Sequence, residues 1–64
     1  MSNMATLRKA RGMTQADLAA AIGVKRSTLA MWETGENMPP TRYLPMIADV
    51  LGCSIDELLK YESA

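Results

Sequence analysis

The chain has no histidine and a single cysteine, Cys53. Catalytic devices built on imidazole are therefore absent, and a structural zinc site has no ligand set. An internal disulfide is excluded, and Cys53 reads as a small buried hydrophobe rather than a reactive thiol. No paired carboxylates stand in a pocket-forming context, so general acid–base work lacks its tools and an enzyme is not expected. The chemistry that remains is that of charge and hydrogen bonding. Lys and Arg number seven, Asp and Glu seven, for a formal net charge of zero. Taken whole, this balance argues against a nucleic-acid partner, whose usual footprint is a basic excess. The two halves differ, however. Residues 1–32 carry Arg8, Lys9, Arg11, Lys25 and Arg26 against Asp17, while residues 33–64 carry Arg42 and Lys60 against Glu33, Glu36, Asp49, Asp56, Glu57 and Glu62. That asymmetry, five basic to one acidic and then two to six, is a recognised hint of a nucleic-acid partner.

The elements that must position these charges are helices. Val and Ile together number five, there is no Phe, and Ala and Leu dominate. A chain of 64 residues buries only about 60% of its unfolded surface, enough for one small domain spanning 1–64. Gly12, Gly23, Gly35, Pro39-Pro40 and Gly52 punctuate it into five short helices. The first runs from about Met4 to Arg11, capped by Ser2 or Asn3, with Met4, Leu7 and Ala10 on one face. The second follows Thr14, whose capping-box partner is Asp17, and stops at Gly23. The third covers about Arg26 to Thr34 with Leu29 and Trp32 inward. The fourth follows the prolines, with Thr41 as its cap, Pro45 in its first turn and Leu44, Ile47, Ala48 and Leu51 on its apolar face. The fifth opens on Ser54-Ile55-Asp56-Glu57, a capping box, and continues through Leu58-Leu59. Only Gly23, Val24 and Lys25 separate helices two and three. So short a connection sets them at a steep angle, as in a helix-turn-helix spanning about 14–34. Ala19 must be small for the two helices to cross closely, and Gly23 supplies the left-handed turn.

Thr14-Gln15-Ala16-Asp17-Leu18-Ala19 through Gly23-Val24, then Ser27-Thr28-Leu29 through Trp32-Glu33-Thr34-Gly35, resembles the lambdoid phage Cro/repressor helix-turn-helix family. Arg42-Tyr43-Leu44-Pro45-Met46-Ile47-Ala48 through Leu51-Gly52, and Ser54 to Leu59, are similar to its fourth and fifth helices. The match preserves order and spacing over roughly residues 4–60. It implies an all-α, lambda-repressor-like fold and a transcriptional regulator, acting as a repressor, that binds double-stranded DNA.

In that arrangement the third helix lies in the major groove with its N-terminal residues at the base edges. Its outward positions are Arg26, Ser27, Ala30, Met31 and Thr34. Arg26 is the strongest reader, because a guanidinium matches guanine O6 and N7 bidentately. Ser27 can donate or accept, and Ala30 and Met31 can touch a thymine methyl. Gln15 stands at the N-terminus of helix two, where free N–H groups favour a phosphate, and the resemblance makes it a backbone clamp. Lys25, Thr34 and Arg42 are further phosphate candidates. By the same resemblance Arg8 and Glu33 form an internal ion pair that holds Arg8 toward the phosphates. Trp32, spaced from Leu29 as a core residue, is not expected to stack on bases.

One copy reads few base pairs, so a homodimer on a pseudo-palindrome is expected, with Met38, Leu59 and Tyr61 at the dimer contact. No cofactor, metal or small-molecule ligand is expected. No apolar run approaches the roughly 20 residues of a spanning helix, and no export signal is evident, so the expected location is cytoplasmic and away from membranes. Features depart from the family pattern, among them the absence from the reading face of the run of glutamines seen in some relatives. Lys25 replaces the Ser or Thr that often caps the third helix, and the loop from Glu36 to Pro40 has no basic residue. The alternative from another class is an antitoxin-like or protein-interaction module of the same fold, whose main partner is a protein facing the acidic second half.

Overall fold

The computed structural model describes residues 3–60, and among these every regular element is helical. The order is α1 (Met4–Ala10), α2 (Gln15–Ile22), α3 (Arg26–Thr34), a 3-10 turn (Thr41–Tyr43), α4 (Leu44–Leu51) and α5 (Ile55–Leu59). Each α-helix places one fully buried side chain at the common centre: Met4, Leu18, Leu29, Ile47 and Leu58. Around them Ala19, Ile22, Trp32, Ala48 and Leu51 complete the core. Leu58 thus belongs to the core. No helix among the described residues is long and apolar enough to cross a membrane.

The two capping boxes form as their sequences predict. Thr14 Oγ1 accepts from Asp17 N at 3.0 Å while Asp17 Oδ2 accepts from Thr14 N at 2.9 Å. Ser54 and Glu57 repeat the exchange at the start of α5, at 3.0 and 3.3 Å. The bonds from Thr14 hold the Asp17 carboxyl below its ordinary value, first through the backbone N–H and then through the hydroxyl. A depressed folded-state pKa stabilises above the unfolded pKa and loses that contribution as pH falls through the folded one. Asp17→Asn is therefore expected to lower the melting temperature at neutral pH and to flatten its acid limb between about pH 5 and pH 2, where the two proteins converge, in thermal melts.

Two local expectations give way. Thr41 does not cap α4. It opens the 3-10 turn, and Tyr43, at the N-cap of α4, makes no side-chain cap bond. Pro45 lies in the first turn of α4, so one of the donors a cap would satisfy is missing already. On α1 the buried residues are Met4 and Arg8, while Ala10 is exposed. An arginine displaces an alanine from the inner face because it pairs there with the buried Glu33 carboxylate. Asn3 stands at the N-cap of α1 but turns its side chain elsewhere: its backbone N–H donates to Leu58 O at 3.2 Å and Nδ2 to Glu57 O at 3.4 Å, tying α1 to α5. Ser2, the other expected cap, lies outside the described residues.

The α2–α3 connection is the part that positions the site. Gly23 adopts φ +78°, and no atom lies within 4 Å of where a Cβ would stand. The glycine is there for its backbone conformation and not for space. Val24 N donates to Ala19 O at 3.0 Å, closing α2 directly against the turn. With Ala19 and Leu29 both buried, α3 is held across α2 with one flank inward and the other free.

Candidate nucleic-acid interface

The inward flank of α3 is Leu29, Trp32 and Glu33, all buried. Trp32 packs against Tyr43, ring centroids 5.4 Å apart and planes tilted by 47°, and so fills the core as its spacing predicts. The outward flank begins with Arg26 and Ser27, both exposed, continues through half-buried Ala30 and Met31, and ends at exposed Thr34. The residues expected at base edges therefore share one face. Lys25 is exposed at the N-cap of α3 and makes no side-chain cap bond, since an ammonium has no acceptor to offer the free N–H groups.

Beneath this face runs a chain of hydrogen bonds joining three helices. Arg8 Nε donates to Glu33 Oε2 at 2.7 Å and Nη2 donates to Oε1 at 3.2 Å, a two-pronged buried ion pair. Arg8 Nη1 donates to Met13 O at 2.8 Å. Glu33 Oε1 also accepts from Gln15 Nε2 at 2.9 Å, and Gln15 Oε1 accepts from Arg26 Nη1 at 3.2 Å. Arg8, Glu33, Gln15 and Arg26 thus form one connected path from α1 to the first residue of α3. Planar, bidentate guanidinium–carboxylate pairs resist rotation, so Glu33 holds a fixed orientation for Gln15.

This path defines the setting of Arg8. The sequence puts it among the phosphate contacts, but it is 7% exposed and three of its nitrogens are engaged inside the protein. Little of it faces solvent, and it supports the site from below. Gln15, half-buried, has its amide shared between Glu33 and Arg26 rather than free. The Thr34 hydroxyl lies 3.1 Å from Met31 O and 3.4 Å from a Glu36 carboxylate oxygen, so negative charge stands beside it. Arg42 is exposed and stacks over Tyr43, 5.0 Å from the ring centre, which fixes its cation near the surface. Cys53 is half-buried, and burial, with the Glu57 charge adding to it, pushes its thiol up. That keeps it protonated and poorly nucleophilic.

Of the expected dimer residues, Met38 is 63% and Leu59 39% exposed, and Tyr61 lies outside the described residues. Met46 and Ile55 are also exposed large hydrophobics and are not evident from the sequence. Another residue that sequence reasoning misses is Asn37. Its N–H and its side-chain amide both reach Met31, and nothing in the local pattern announces a loop asparagine turned back on a helix.

The helix-turn-helix family model matches residues 4–58 of the chain. The cryptic phage CTXphi transcriptional repressor RstR of Vibrio cholerae is 44% identical over 55 residues, covering 86% of this chain and 49% of that protein. The uncharacterized HTH-type transcriptional regulator YazB of Bacillus subtilis is 41% identical over 51 residues, covering 80% of this chain and 74% of that one. Among solved structures, a transcriptional regulator from Listeria innocua superposes with a TM-score of 0.82 at 31% identity, over 97% of this chain and 58% of that one. The N-terminal DNA-binding domain of SinR from Bacillus subtilis gives 0.79 at 27% identity, over 95% and 90%. The chain spans about half the length of RstR and of the regulator YqaE, which it also resembles. With the family model covering nearly every described residue, the chain belongs to the Cro/repressor-type helix-turn-helix family.

Proposed function

We propose that this domain binds double-stranded DNA sequence-specifically and regulates transcription, as a repressor that occludes its promoter. The observation that carries the reading is Arg26, exposed at the first turn of α3 and braced by Gln15 from beneath. A guanidinium held at a helix N-terminus in this way suits the O6/N7 edge of a guanine in the major groove. Ser27, Ala30 and Met31 follow it along the groove. Lys25, Arg42 and the N–H groups at the start of α2 beside Gln15 face phosphates. The names borne by RstR, as a repressor, and by the SinR domain, as DNA-binding, support the same reading. Two copies act together on a pseudo-palindrome, with Met38 and Leu59 at their contact. With Arg8 neutralised inside, few cations remain for the backbone. Each neutralised phosphate adds about 0.9 to the slope of log affinity against log salt, so a shallow slope is expected.

The test is selection of bound sequences from random duplex DNA. Enrichment of a two-fold symmetric site with half-sites about one helical turn apart supports the reading, and recovery of the input pool overturns it. The residue-level expectation concerns Gln15. A phosphate clamp alone weakens binding to every sequence alike when removed. Because Gln15 also braces Arg26, Gln15→Ala is expected to weaken cognate binding about tenfold, the scale of one charge-assisted hydrogen bond, and also to reduce base preference. Titration of the cognate duplex and of one changed at the Arg26 base pair measures both effects.

A further inference from the structure

The second turn of the α3 outer face has a chemistry different from the first. Arg26 and Ser27 can hydrogen-bond; four residues on, Ala30 has no polar side-chain atom and Met31 has only a thioether, a weak acceptor. Among the groups that base pairs present in the major groove, the one apolar group is the pyrimidine 5-methyl. The surroundings of Met31 point the same way. Its carbonyl oxygen accepts from Gly35 N at 3.1 Å, from Asn37 N at 3.3 Å and from the Thr34 hydroxyl at 3.1 Å. Its sulfur accepts from Asn37 Nδ2 at 3.5 Å. Methionine ordinarily swings about three rotatable bonds and adapts to whatever it meets. Here the sulfur is held by the Asn37 amide, while the residue as a whole remains half-buried. Ordering such a side chain in advance removes an entropy cost that binding must otherwise meet.

We propose that Met31, positioned by Asn37, reads a pyrimidine 5-methyl group in each half-site. The assignment rests on α3 lying in the major groove, as proposed above. Five residues separate Arg26 from Met31, on the order of 7 Å along the helix, which places the methyl roughly two base pairs from the base that Arg26 contacts. Asn37 is a positioning residue: it touches Met31 and not the base.

Thymine and 5-methylcytosine carry this methyl at the same place in the groove, and the experiment separates them. Each thymine of the site recovered from random duplexes is replaced in turn by deoxyuridine, which removes the methyl and leaves pairing intact. One replacement per half-site is expected to weaken binding about fourfold, the value of one buried methyl-sized group. In Met31→Ala that penalty disappears. In Asn37→Ala it shrinks, while circular dichroism and the melting profile remain those of a folded domain. At the same position 5-methylcytosine paired with guanine binds better than cytosine paired with guanine. Stronger binding of thymine than of 5-methylcytosine identifies thymine as the source, and the reverse order identifies methylated cytosine. If no thymine is sensitive to loss of its methyl, or the penalty is unchanged in Met31→Ala, the assignment is overturned. An unchanged penalty in folded Asn37→Ala overturns the positioning role. Failure to recover any site at all strikes the DNA-binding reading instead.

Discussion

Glu33→Ala is expected to destabilise the domain by about 3–5 kcal/mol, the scale of breaking a buried ion pair by removing one partner. The side chains of Arg8 and Glu33 are 9% and 5% exposed, so the substitution leaves a guanidinium in the interior with its main counter-charge gone. Stabilities of about 0.05–0.15 kcal/mol per residue give a domain of this size little to spare, so a large unfolded population at ambient temperature follows. Urea denaturation followed through Trp32, the only tryptophan, reads the change directly. A melting curve unchanged from the native protein contradicts the burial described here. The pair is not irreplaceable as packing. Arg8→Met combined with Glu33→Leu removes both charges together and is expected to remain within about 1–2 kcal/mol of the native stability. That double variant separates fold from site, because Gln15 then loses its anchor while the helices remain assembled. Reduced base preference in a folded double variant is the corresponding expectation for binding.

Arg26→Ala is the second large effect, on recognition rather than stability. Arg26 is exposed and its one side-chain bond is to Gln15, so its loss leaves the core untouched. A bidentate contact to guanine discriminates by about 1–3 kcal/mol, and a symmetric dimer makes it twice, for about 2–6 kcal/mol over the whole site. Preference for the cognate sequence is expected to collapse toward the level of random duplex, while weak and salt-dependent binding through Lys25 and Arg42 persists. Competition titrations at two salt concentrations distinguish the outcomes. A variant that retains full preference places the base-reading residue elsewhere.

How much of this was legible in the sequence differs between the frame and the site. The five helices are marked by local signals: a glycine at each of the ends of α2, α3 and α4, capping boxes at Thr14 and Ser54, and apolar spacings that each deliver one residue to a common core. Such signals act within four or five residues, and they survive folding because tertiary packing reinforces them. Thr41 was misleading because a good capping residue is only a prior, and Pro45 together with the 3-10 turn settles the start of α4 another way. The site was legible in its membership but not in its wiring. The outward positions of α3 follow from helical spacing once Leu29 and Trp32 are placed inward. The path from Arg8 to Arg26 joins residues 25, 18 and 11 positions apart through polar side chains, which follow no periodicity that one sequence displays. The resemblance to repressors supplied the Arg8–Glu33 pair, and the fold adds its burial and its link to Gln15. The hold of Asn37 on Met31 had no sequence signal at all.

The zero net charge takes its physical meaning from the same wiring. Arg8 and Glu33 cancel inside the protein, and much of the remaining acidic charge lies on α4 and α5 at Asp49, Asp56 and Glu57, while Lys25 and Arg26 stand exposed at the start of α3 and Lys9, Arg11, Arg42 and Lys60 lie elsewhere on the surface. Such a surface relies on base contacts for affinity more than a strongly basic regulator does.

The central claim is that Arg26, at the start of α3, reads a guanine edge in the major groove. Substitution of each guanine of the selected site by 7-deazaguanine tests it most directly, because this removes the N7 acceptor and preserves base pairing. The account predicts one sensitive guanine in each half-site, with a loss of about tenfold per half-site for the native protein and none for Arg26→Ala. Binding indifferent to every 7-deazaguanine, or a loss that persists undiminished in Arg26→Ala, contradicts it.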